Sequence, residues 1–202
     1  GLTLDTITRN VLQSGTNVYY CPKAAANGQT TPVTDRQGLD KTCVLTVDVV
    51  KKVAAMLKAA NAPRIAGDYV CILHPYVAYD IMSDPHWEDM HKYCSPENMY
   101  EGEIGRIAGV RFVETSEAAV YKGAGDECPA GLAVFGCLFL AEGAYGVTEV
   151  TGGGLQTIVK QLGSAGTADP LDQRSTVGWK ALQTAEILME PYMVRVECCS
   201  AF

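Results

Sequence analysis

The sequence predicts an α+β protein, on three observations. One amphipathic helical stretch stands at 46–61, short β-rich apolar runs are scattered through the middle, and an alternating strand lies late, around 192–198. Mixed short elements around one long helix give a helix-and-sheet layer arrangement. The 202 residues are 48% hydrophobic and 19% charged, enough apolar content for one substantial core.

Taken in order, residues 1–43 read as irregular and turn-rich. Gly15, Gly28, Pro32 and Gly38 punctuate polar stretches, and one short helix is expected near 4–13. The segment TVDVVKKVAAMLKAAN (46–61) repeats Val49, Val50, Val53, Met56, Leu57 and Ala60 at helical spacing. Thr46 suits its N-cap and Asp48 its first turn, where the helix dipole favours an anion; Asn61 and Pro63 supply the stop. DYVCIL (68–73) suits a buried strand, and Pro75 the first turn of a further helix over 75–94, broken near Asp84-Pro85.

EIGRIAGVRFVET (103–115) reads as two short strands meeting at a turn. The glycine-rich apolar stretch 131–150 crosses the core as strand or short helix, Thr157–Val159 adds a strand, and 163–173 is a loop. Late in the chain, Tyr192, Val194, Val196 and Cys198 alternate with Met193, Arg195 and Glu197, the pattern of a half-buried strand.

A net charge of −7 argues against a surface that grips nucleic acid through many phosphates. No apolar run reaches the roughly 18 residues that span a bilayer, and GLTLDTITRN lacks the basic and apolar regions of a signal peptide. The chain is therefore expected to be soluble and cytosolic, with no membrane partner. Its eight cysteines are irregularly spaced, with no C-x-x-C pair, and are expected as free, mostly buried thiols.

Each candidate chemical site has a plainer alternative. His74, His86, His91 and Cys94 could in principle build a zinc site. His86 and His91 are five apart, which one helix places on different faces, so surface or capping histidines are expected instead. His91 and Cys94 lack an orienting third group for nucleophilic catalysis. TGGGLQ (151–156) has no lysine for a phosphate loop and reads as a turn. The acidic cluster Asp80, Asp84, Glu88 and Asp89 suits helix starts and solvent faces. Trp87 and Trp179 are expected as packing anchors at core or interface. No cofactor, metal or catalytic residue is assigned.

Four stretches resemble a known family. They are VDVVKKVAAMLKAANAPRIAGDYVCILHPYVAYDIMSDPHW (47–87), EGEIGRIAGVRFVETSEA (101–118), GAYGVTEV (143–150) and GSAGTADPLDQRSTVGWKALQTAEIL (163–188). They resemble tailed-phage major capsid proteins with the Hong Kong 97 fold, in particular the podovirus branch. The four stretches stand in the order the family expects.

It implies a structural subunit, not an enzyme, which assembles with itself into hexamers and pentamers of an icosahedral shell. The shell would enclose DNA without sequence-specific binding, with scaffolding or portal proteins as further partners. The virion capsid is the implied location, and the host cytoplasm before assembly. Residues 46–61 would be the spine helix of a peripheral domain made of 1–73 plus 174–202, and 74–173 an axial domain. The family's N-terminal arm and extended loop find no match in 1–43, so the chain is expected to be a fragment or processed form. No loop lysine matches the one that welds subunits in some relatives.

Trp87, Glu88, Asp89, Asp169 and Asp172 are expected at intersubunit contacts, from the polar and aromatic mixture around Trp87 and in loop 163–173. Glycines 102, 105, 109 and 152–154 are expected to give the hinge compliance that five-fold and six-fold environments require. Two other readings stand beside this one: an encapsulin-like cellular shell of the same fold, and a small metalloenzyme using His74, His86, His91 or Cys94.

Overall fold

A computed structural model describes residues 2–25, 29–87, 105–148, 153–164, 171 and 173–201. It is built from a helix α1 (Leu2–Gln13), strands β1 (Val18–Tyr20), β2 (Lys23–Ala24) and β3 (Thr30–Thr31), helix α2 (Val47–Ala59), strand β4 (Tyr69–Leu73) and helix α3 (Pro75–Met82). Strands β5 (Arg106–Ile107), β6 (Val110–Glu114), β7 (Ala119–Lys122), β8 (Ala133–Leu140), β9 (Tyr145–Val147), β10 (Gln156–Lys160), β11 (Thr176–Lys180), β12 (Ala185–Ile187) and β13 (Met193–Cys198) follow. Helices and a mixed sheet make the α+β class expected from the sequence.

Helices α2 and α3 form where their end signals stand. Thr46 accepts the Val49 N–H at the start of α2. At the other end Asn61 takes a left-handed φ of 54°, the Ala62 N–H reaches the Leu57 carbonyl and the Asn61 N–H the Lys58 carbonyl. This pair of bonds closes a Schellman motif over the last carbonyls. Val47, Val49, Val50, Val53, Ala54 and Leu57 are buried, and each fully buried valine or leucine contributes about 1.5–3 kcal/mol. Pro75 opens α3, with His74 as its N-cap.

The organising element is a seven-stranded sheet of order β1-β13-β8-β4-β6-β5, with β7 also paired to β8. β13 runs parallel to β1 and antiparallel to β8, and β4 runs antiparallel to β8 and parallel to β6. One face carries Cys71, Cys137, Phe139, Val194 and Val196 into the cluster that holds the buried sides of α2 and α3. The opposite face carries Leu138, Leu140 and Met193 against Leu12 of α1. Two layers of helix thus enclose one sheet.

The alternation in β13 has the expected phase, but the strand is not half-buried. Met193 and Glu197, on the side expected to meet solvent, are fully buried, because α1 and the loop carrying Arg36 cover that face. The sheet also takes strands from both stretches assigned by resemblance to a peripheral and an axial domain: β1, β4 and β13 from one, β5, β6, β7 and β8 from the other. α2 packs on the same sheet, touching β13 and β5.

The hairpin expected at 103–115 is β5 and β6, in antiparallel register with Ile107 opposite Val110. Ala108 and Gly109 turn it at φ of 54° and 80°, the two positive values of a type I′ turn. Three two-stranded ribbons, β2 with β3, β9 with β12 and β10 with β11, hydrogen-bond apart from the large sheet.

Candidate assembly surface

The polar side chains inside the body are engaged in holding it together. Arg36 donates from Nε to Glu197 Oε2 and from Nη2 to Oε1, both at 2.6 Å. Its guanidinium lies 3.8 Å over the Tyr121 ring, and Glu197 holds its pKa above the usual arginine value. Arg195 Nε stands 3.0 Å from Glu197 Oε1 as a charge contact outside hydrogen-bond alignment, while Arg195 Nη1 donates to the Gln13 carbonyl. This cluster ties the Arg36 loop, β13 and α1 together. No local signal in the sequence marks it, since Arg36 and Glu197 are 161 positions apart.

Asp84 accepts the Val47 N–H at Oδ2 and the His86 N–H at Oδ1, each at 2.9 Å, so one buried carboxylate caps the start of α2 as well as its own turn. Asp80 accepts the Ala201 N–H, and burial raises its pKa. Both acids thus close backbone ends.

His74 caps α3 through Nδ1, which accepts the Tyr76 N–H at 3.2 Å, and its ring packs on Tyr76 and Phe135. Burial, aided by Lys122, lowers its pKa. His91 and Cys94 lie outside the described residues. Among the described residues no group of three or more His, Cys, Asp or Glu is arranged to hold a metal.

Cys21, Cys43, Cys71, Cys128, Cys137, Cys198 and Cys199 are free and buried, as expected. Burial raises the Cys71 pKa far above its ordinary value and pushes Cys199 up to about 12. Protonated thiols are poor nucleophiles.

Of the expected contact residues, Trp87 is 4% exposed and belongs to the main apolar cluster, so its ring packs in the core. Glu88, Asp89, Asp169 and Asp172 lie outside the described residues, as do Gly102 and Gly152. Trp179 is 56% exposed, so the core half of its expected role does not hold.

Part of what faces outward is apolar. Every residue of β10 and β11 is exposed, and Leu155, Leu162, Leu171, Leu182 and Leu188 are also large exposed apolar residues. A hollow of about 380 Å³ at the foot of this ribbon is lined by Leu2, Leu155, Thr157, Val177 and Trp179, among others. Contiguous apolar surface on a folded chain marks an interaction site. Among the described residues no helix is long and apolar enough to cross a membrane.

Comparison with solved structures assigns the fold. The capsid of Helicobacter pylori bacteriophage KHP30 matches 98% of this chain and 66% of its own at a TM-score of 0.65 and 10% identity. The capsid of cyanophage P-SCSP1u matches 96% and 61% at a TM-score of 0.65 and 13% identity. The SrpI encapsulin of Synechococcus elongatus matches 95% and 56% at a TM-score of 0.51 and 9% identity. The fold is that of tailed-phage major capsid proteins, the Hong Kong 97-like architecture expected from the sequence.

The model of a family described as phage capsid protein matches residues 3–165. The chain belongs to that family. No curated protein sequence matches it. The chain spans between about half and two thirds of the length of the structures it matches, 66% in the phage KHP30 capsid protein and 56% in the encapsulin.

Proposed function

We propose that this chain is the body of a structural subunit that assembles with further copies of itself into the icosahedral shell of a tailed phage. One observation carries the reading: nearly the whole chain lies on the capsid fold. The extensive apolar surface outside its core fits a protein that acts through interfaces, each of which would bury on the order of 1,000 Å² or more. Hexamers and pentamers would be the capsomers, DNA the enclosed cargo without sequence-specific contact, and the virion the final location, after assembly in the host cytoplasm. Scaffolding and portal proteins are further partners in this reading. Catalysis, cofactor and metal have no role in it.

The division into a peripheral part, 1–73 plus 174–202 with 46–61 as its spine helix, and an axial part, 74–173, belongs to this proposal, with one sheet joining the two. The encapsulin reading has one observation in its favour, the SrpI match, but its TM-score of 0.51 is below the 0.65 of the KHP30 capsid.

Negative-stain microscopy of the full-length gene product tests the proposal. Closed shells of uniform size are expected. A monodisperse monomer under every salt condition tried would overturn it.

A further inference from the structure

We propose that His74 is an acid-sensitive latch on helix α3: its neutral imidazole pins the first turn of the helix, and protonation of the ring frees that turn. The latch does not depend on the shell reading above.

His74 is the one residue between β4, which ends at Leu73, and α3, which begins at Pro75. Its backbone is extended, at φ −81° and ψ 146°, as the following proline favours. Pro75 has no N–H, so the first amide of the helix is that of Tyr76. A side chain holds it: His74 Nδ1 accepts the Tyr76 N–H at 3.2 Å. The next two amides, of Val77 and Ala78, donate to the His74 carbonyl. An imidazole nitrogen accepts only while it carries no proton. Once protonated, Nδ1 turns a donor toward the Tyr76 N–H, and a positive charge stands at the helix end where the dipole disfavours it.

The surroundings reinforce this. α3 packs the Tyr76 ring and β8 the Phe135 ring against the imidazole. From β7 the Lys122 ammonium, a charge of the same sign, adds to burial in lowering the pKa of the ring. Glu114, opposite Leu73 in the register of β6 with β4, is exposed, and Asp80, farther along α3, accepts the Ala201 N–H. The imidazole is half-buried, so a proton reaches it without unfolding the body.

The release is local. β4 stays paired to β6 and β8, while the Tyr76 carbonyl in the freed turn accepts the Ser200 hydroxyl, so that contact loosens with it. Because the His74 pKa lies below 6.5 in the folded chain, the unfolded chain takes up the proton first. The contribution of the closed latch is therefore fully present above 6.5 and is lost as pH falls through the lowered value.

Hydrogen–deuterium exchange of the full-length gene product tests the latch from about pH 7.5 to about pH 5, read by mass spectrometry and corrected for the intrinsic pH dependence of exchange. Protection of the first turn of α3 is expected to fall several-fold toward the acid end, as on loss of an N-cap, while protection of α2 stays constant. His74→Asn keeps a capping acceptor that does not titrate, and in that variant the protection of α3 is expected to stay flat. No fall in the unsubstituted chain, a fall shared equally by α2, or a fall that persists in His74→Asn overturns the latch. If His74→Asn does not fold, exchange of the His74 Cε1 proton in the unsubstituted chain decides. A titration midpoint below 6.5, together with the fall confined to α3, supports the latch, and a midpoint at or above that value overturns it.

Discussion

A carboxylate without solvent is tolerated only when other groups replace its water, and Glu197 shows how completely this can be done. Two hydrogen bonds from Arg36 and the Arg195 charge surround it. Glu197→Gln keeps the shape but leaves two arginines, 18% and 11% exposed at their side chains, without their counter-charge. Breaking a buried pair in this way costs about 3–5 kcal/mol, a loss that urea unfolding at neutral pH will read. Asp80 makes a prediction about pH. Because burial raises its pKa in the folded chain, the folded state holds the proton more tightly than the unfolded one. Its contribution to stability is therefore fully present below the ordinary value of 3.8 and is lost as pH rises through the raised value. Asp80→Asn is expected to flatten that part of the stability curve, measured by urea unfolding from below 3.8 to neutral pH; an unchanged slope would assign the pH dependence to other groups.

At the level of elements, α2 was legible almost to the residue, because its apolar spacing and both end signals sit within sixteen consecutive positions. β4, the β5–β6 hairpin and the phase of β13 were legible for the same local reason. The burial of β13 was not, since it depends on Arg36 and α1 arriving from far along the chain. β1 and β7 carry too few residues to announce themselves, and pairing with β13 and β8 creates them. The β5–β6 turn also holds an alanine where asparagine is preferred. Left-handed backbone costs an ordinary L-residue about 1–2 kcal/mol, and asparagine tolerates it better. Ala108→Asn is therefore expected to stabilise the fold by about 0.5–1 kcal/mol. That corresponds to an upward shift in melting temperature of about 1–4 °C for a chain of this size, readable by calorimetry, while Gly109→Ala at φ 80° is expected to lower it.

For the whole molecule, family and fold were legible because four stretches of ordinary packing residues follow one another in the right order. The exposed ribbon was legible only in part. Residue type alone marks Trp179 as an anchor, but Val159 and Val177, on the same face, become its neighbours only through the β10–β11 register. Trp87 looked equivalent in the sequence and is in fact core, a distinction that exposure alone decides. The position of β13 has a temporal consequence. It lies between β1 and β8, both of which leave the ribosome before it, so β1 has no strand to pair with and the Arg36 loop no carboxylate to close on until β13 has been translated. A nascent chain therefore cannot complete its sheet piecemeal.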